Sequence, residues 1–202
     1  LHDFFPSIRS PRVRAAFREM GYSRPIAKVL AELCCLRCFL PQGAPTSPAL
    51  SNIIAYPMDK KMMALAGEYG LVYTRYADDL TFSGDYLPKD EVLVRIHRII
   101  REEGFTMNVK KTRFLSEHKR KIITGVSVSS GKKMTLPKVK KREIRKNVHY
   151  VLTKGLVGHQ EHIGSTDPVY LKRLLGSLCY WRSIEPDNRY VSDSITALKR
   201  LM

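Results

Sequence analysis

With 202 residues, 44% of them hydrophobic, the chain is long enough to bury a core of its own. No apolar run approaches membrane-spanning length and no secretory leader pattern is visible, so a soluble protein of the cytoplasm is expected. The 35 Lys/Arg against 19 Asp/Glu give a net charge of +16, carried mostly by the second half: 13 against 10 in residues 1–100, 22 against 9 in residues 101–202.

Clustered cations gain by releasing counterions from phosphates, so the second half is expected to meet a polyanion; a solvated basic surface is the plainer alternative. The first residue is Leu1, not Met, and a patterned stretch begins at once. The chain is therefore expected to start inside a folded domain. Of the four cysteines, Cys35 and Cys38 form a lone CxxC with no second pair to complete a zinc site, and buried free thiols are expected. His159 and His162 in GHQEH likewise lack companion ligands.

In chain order, residues 10–34 read as two helices parted near Gly21, with Arg24-Pro25 restarting the second. Cys35 to Pro45 reads as a loop. A helix then opens at Ser47-Pro48, a capping residue followed by proline, with Leu50, Ile53, Ile54, Met58, Met62 and Leu65 at helical spacing and a kink expected at Pro57. LVYTRYADDLTFSG follows as two short β-rich runs around Asp78-Asp79, with Arg75 read as a surface residue. Pro88 to Glu103 is a helix with Val92, Ile96, Ile99 and Ile100 on one face and Gly104 as its stop. Phe105, Met107 and Val109 alternate as a strand, Ile122-Ile123 and Val126/Val128 suggest two more, and SSGKK makes a turn before Met134. From Pro137 the pattern is helical: one helix lined by Ile144, Val148, Val151 and Leu152, a second by Leu171, Leu174, Leu175 and Leu178, and a third from about Val191. Gly155 to Ser165 reads as the loop between the first two. The change of pattern puts a boundary near residue 131.

Neighbouring side chains on a strand point to opposite faces, so Asp78 and Asp79 can serve one site only if the chain turns at them. Two carboxylates at such a hairpin, with a third from elsewhere, can hold a pair of Mg2+ ions that activate a hydroxyl and stabilise a leaving pyrophosphate. A water-exposed Asp-Asp turn is the competing reading. In the helical part, Lys138, Lys141, Arg142 and Arg145 recur at i, i+3, i+4 and i+7 and share one face, a track for phosphates or a solvated face.

Five segments in order decide between these readings. DFFPSI, LPQGAPTSP, YTRYADDLTFSG, GFTMNVKKT and ITG together resemble the successive motifs of the reverse transcriptase family, most closely its bacterial retron-type and defence members. The resemblance covers nearly the whole chain and implies an α/β fold: a polymerase palm with an antiparallel sheet flanked by helices over residues 1–130, then a helical thumb over 131–202. It implies an RNA-directed DNA polymerase that extends a primer 3′-hydroxyl with dNTPs. The partners implied are an RNA template, a DNA or RNA primer and a cognate structured noncoding RNA.

By the same resemblance, Asp78 and Asp79 are the catalytic metal ligands for two Mg2+. Phe5 is the steric gate under the sugar, and Gln42 and Gly43 contact the nucleotide and template base. Lys111 approaches the phosphates, with Lys110 one register away, and Thr124-Gly125 hold the primer end. The family's first metal-binding aspartate would stand one position before Leu1. Asp3 matches the second acidic position of that motif and reads as structural, and the fragment alone is expected to be inactive. An intron-maturase-like reverse transcriptase and a non-catalytic RNA-binding relic are the alternative readings.

Overall fold

The computed structural model describes residues 1–115, 119–129 and 133–201, which fold into two compact units, Leu1–Arg113 and Phe114–Met202. The first unit runs α1 (Phe4–Ser7), α2 (Ser10–Glu19), α3 (Arg24–Cys34), α4 (Ser47–Glu68), β1 (Val72–Tyr76), β2 (Asp79–Ser83) and α5 (Lys89–Glu102). Proline in the first turn of α2, α3 and α4 explains why each starts where it does, since its missing N–H has no partner to lose there. Helix α4 is the spine. It buries Leu50, Ala55, Met58, Met62 and Leu65, and β1, α2 and α5 all pack against it. Phe4, Ile8, Leu40, Ile100 and Phe105 complete this core. Full burial of one such side chain is worth about 1.5–3 kcal/mol, so the core can anchor a hairpin that is itself half exposed.

Several details differ from the sequence expectation. Ser47 is the first helical residue, not the cap; its buried hydroxyl donates to the Pro41 carbonyl at 2.7 Å and ties the preceding loop to the helix. The helix runs unbroken through Pro57, and Ile53 faces outward. Phe105 to Val109 is not a strand. Its backbone meets the chain start through one bond, His2 N–H to Thr106 O at 2.8 Å, and Val109–Lys111 closes into a 3-10 turn. The burial alternation read there comes from Phe105 packing inward without a ladder.

The second unit holds β3 (Ile122–Ile123), β4 (Val126–Ser127), α6 (Lys138–Ile163), α7 (Tyr170–Ile184) and α8 (Arg189–Lys199). The α/β fold thus contains two separate two-stranded antiparallel ladders, β1-β2 and β3-β4, rather than one palm sheet among the described residues. The division falls at Arg113/Phe114, earlier than the change of pattern near residue 131. Ser127 exchanges backbone bonds with Thr135 at 2.8 and 3.0 Å, and the adjacent Leu136 is buried in the helical core, so this hairpin packs with the helices. The middle of the expected SSGKK turn, residues 130–132, lies outside the described residues.

Trp181, Leu178, Leu198 and Val191 centre the second core, with Ile144, Val148 and Val151 from α6; Leu152 points out. Gly155 to Ser165 is not a loop. α6 breaks at Gly155 (φ 76°, ψ 165°) and resumes to Ile163, where Gly164 caps it in the left-handed region. The resumed turn is helical because Leu156 and His159 turn inward, His159 meeting the Tyr170 hydroxyl at 2.8 Å. No helix among the described residues is long and apolar enough to cross a membrane.

Candidate functional site

Strands β1 and β2 pair from Val72↔Ser83 to Tyr76↔Asp79, leaving Ala77 and Asp78 as a two-residue turn. Ala77 sits at φ 50°, a conformation costly for a residue with a Cβ. Asp78, in the turn, is half-buried, and Asp79, first in β2, is exposed.

The turn is held from both sides. The backbone nitrogen of Leu1 donates to the Asp78 carbonyl. Arg75 donates from Nη1 to the Ala77 carbonyl at 3.2 Å and to Asn52 Oδ1 at 3.0 Å, and from Nε and Nη2 to the two Asp59 oxygens at 2.8 and 2.6 Å. The Tyr73 hydroxyl donates to Asp59 at 2.7 Å. Burial, reinforced by Asp59, holds the Tyr73 hydroxyl well above its ordinary range, while Asp59 lifts Arg75 against the opposing effect of burial. Arg75 is thus not a surface residue: its side chain is 6% exposed and also lies over the Phe4 ring. Sequence reasoning missed Arg75, Asp59, Tyr73 and Asn52 as a group. The available signal was a lone Asp59 inside an apolar helix face and an Arg between two tyrosines in a strand.

Asp78, Asp79 and Lys111 all lie close enough to the backbone nitrogen of Leu1 for their charges to act on it. Those three charged side chains therefore share one neighbourhood around the start of the chain. Lys111 closes the 3-10 turn whose cap, Asn108, accepts its backbone N–H at 3.3 Å. Asp3 lies apart in role: its φ is 43°, and its exposed carboxylate pairs with His2 at 3.1 Å.

Phe4 is buried and Phe5 half-exposed, their rings 5.5 Å apart. Gln42 and Gly43 are exposed in the turn before α4, and Gly43 at φ 95° holds a conformation that favours glycine, with open space where a Cβ would stand. In the second unit, Thr124 (φ 46°) and Gly125 (φ 84°) form the two-residue turn between β3 and β4, both in the left-handed region as a type I′ hairpin turn requires. Three motif turns thus place a non-glycine residue at positive φ: Asp3, Ala77 and Thr124.

The basic face of α6 divides. Lys138 and Arg142 are exposed. Lys141 is half-buried in an ion pair with Glu185 at 2.6 Å, and with Arg145 it lies over the Trp181 ring; Arg145 also covers Tyr190 at 5.0 Å. Burial opposes ionisation of Glu185, but Lys141, the Leu136 N–H, Trp181 and Asn188 outweigh it and hold its carboxyl down at about 2. Of the cysteines, Cys38 and Cys179 are exposed and Cys34 and Cys35 half-buried, so the expected burial is only partial. His159 is buried in the core, where burial and then His162 and Lys146 lower its pKa.

Among the described residues, no group of three or more His, Cys, Asp or Glu is placed to share one ion. Asp78 and Asp79 nevertheless fit a hard divalent cation. They are adjacent oxygen donors at an exposed turn, and neither forms a salt bridge among the described residues. They would be two ligands of a set completed elsewhere.

Residues 4–151 match the family model described as "Reverse transcriptase (RNA-dependent DNA polymerase)". The Retron Ec86 reverse transcriptase of Escherichia coli is 39% identical over 81% of this chain and 51% of its own length. The Retron Mx65 reverse transcriptase of Myxococcus xanthus is 35% identical over 93% of this chain and 45% of its own. The Retron Ec73 reverse transcriptase of Escherichia coli is 29% identical over 92% and 61% respectively. The chain spans about half the length of the first two of these relatives.

Proposed function

The chain belongs to the reverse transcriptase family, and from that premise we propose that its protein is a retron-type RNA-directed DNA polymerase of the cytoplasm. It extends a primer 3′-hydroxyl with dNTPs on an RNA template and works with a cognate structured noncoding RNA. One observation carries this reading: the β1-β2 turn presents Asp78 and Asp79 together, and the charge of Lys111 acts on the same Leu1 nitrogen as theirs.

In this reading residues 1–130 act as the palm and 131–202 as the thumb. Asp78 and Asp79 hold two Mg2+ together with a carboxylate outside these residues. When bound, the pair of ions lowers the pKa of the attacking hydroxyl and neutralises charge on the phosphates. Lys111 carries a positive charge to the same place, suited to the phosphates of the nucleotide and to protonating pyrophosphate. Phe5 presents a ring edge that excludes a ribose 2′-hydroxyl, and Gln42 and Gly43 offer an exposed backbone turn to the nucleotide and template base. Thr124 and Gly125 form a rigid turn for the primer end. Lys138, Arg142 and Arg145 meet phosphates of the duplex, while Lys141 is also held by Glu185.

The test is primer extension by the complete protein on an RNA template with labelled dNTPs. The reading expects a DNA product that needs the RNA template, dNTPs and a divalent cation. Extension with rNTPs alone, or none under any template and cation, contradicts it.

A further inference from the structure

The Ala77–Asp78 peptide is a single plane, so whatever holds its carbonyl also fixes the N–H and Cα of Asp78. Arg75 holds that carbonyl. The peptide plane that enters Asp78 is therefore pinned by a side chain from the strand that leads into the turn.

We propose that Arg75 is a positioning residue for the metal-binding turn, clamped by Asp59 and Asn52 so that the Ala77–Asp78 peptide keeps the orientation in which Asp78 and Asp79 can bind one cation pair. This rests on the reading of Asp78 and Asp79 given above.

The clamp is built for stiffness rather than charge. Nε and Nη2 grip both oxygens of Asp59, a residue on α4, while Nη1 bridges Asn52 and the turn. Tyr73, two residues earlier on the same strand face, donates to Asp59 and fixes that carboxylate in turn. The Phe4 ring beneath the guanidinium closes the remaining side. Such a fork cannot be reproduced by a lysine, whose single ammonium cannot grip both Asp59 oxygens and still reach the turn. The left-handed Ala77 needs the clamp, because a residue with a Cβ leaves that conformation when nothing over-determines it. Ion pairing alone would not require the bond to the Ala77 carbonyl.

The experiment compares wild type, Arg75→Lys, Asn52→Ala and Asp78→Asn in the complete protein, each checked for fold by circular dichroism. Mn2+ binding without nucleotide or nucleic acid is followed by electron paramagnetic resonance, and amide exchange of residues 72–83 is followed in the metal-free protein. Arg75→Lys is expected to weaken Mn2+ binding about tenfold, as loss of a bidentate fork implies, and to quicken exchange in the hairpin while α4 and α5 stay protected. Its kcat for primer extension falls by about tenfold or more with KM for dNTP little changed, the pattern of a group acting through the reacting site rather than on substrate binding. Asn52→Ala, which keeps the Asp59 pair, shows the same changes at smaller size and decides the matter if Arg75→Lys does not fold. If Asp78→Asn leaves Mn2+ binding intact, the metal reading of the turn fails. If Asp78→Asn abolishes binding while folded Arg75→Lys and Asn52→Ala retain wild-type affinity and hairpin protection, the clamp is merely structural and the positioning role is overturned.

Discussion

Phe4 and Phe5 are neighbours with opposite fates, one sealed in the core against Phe105 and the other half-exposed beside it. A ring held in this way by its buried neighbour suits steric selection, because it cannot swing aside at low cost. Phe5→Ala in the complete protein should therefore admit ribonucleotides far more readily, read as the ratio of kcat/KM for dNTP over rNTP; an unchanged ratio would make Phe5 a packing residue only. Glu185 gives a second test at this scale. Its folded pKa of about 2 lies below the ordinary 4.5, so its contribution to stability is complete above pH 4.5 and disappears as pH falls through 2. Urea unfolding of the second unit's helices should show this acid-side loss, and Glu185→Gln should flatten it. A profile unaltered by Glu185→Gln would mean that Lys141 is held by packing on Trp181 instead. The role expected of Phe5 was legible through the motif it belongs to. The Arg75–Asp59 pair was not, because 16 residues separate its members and nothing local links them.

At the scale of elements, the helices with proline starts and glycine stops were readable because their end signals are local. Helix α5 is the clear instance, its buried Ile99 and Ile100 seven and eight residues after Val92 on one face, with Gly104 at φ 73° closing it. What local pattern hid was tertiary. The 155–163 stretch carries Gly155 and Gly158 and two histidines, so it read as a loop, yet His159 docks on Tyr170 and stacks against Tyr150. Likewise, Phe105 to Val109 alternates but pairs with no strand among the described residues. Gly155 sits in a backbone region that is essentially glycine-only. Gly155→Ala should therefore lower the stability of the second unit by about 1–3 kcal/mol in thermal or urea unfolding. A neutral or stabilising result would mean that α6 straightens readily and that the break is not built in.

For the whole molecule, the charge asymmetry between the two halves is the feature most directly given by composition, and its use is narrower than composition implies. Lys141 is committed to Glu185, while Lys138, Arg142 and Arg145 are exposed, Arg145 also lying over two aromatic rings. Reversing Lys138 and Arg142 to Glu should reduce the log–log salt slope of RNA or hybrid binding by about 1.4–1.8 if both touch phosphate. An unaltered slope would make this face merely solvated. Lys141→Glu, by contrast, should cost stability before it costs binding, since it faces Glu185 with a like charge. The central claim, that the Asp78-Asp79 turn is the polymerisation site, is tested most directly by primer extension on RNA with Asp78→Asn in the complete protein, its fold verified by circular dichroism. The expected result is loss of DNA synthesis by far more than tenfold from a folded variant. Extension within about tenfold of wild type, a barrier change near 1.4 kcal/mol, would contradict the assignment.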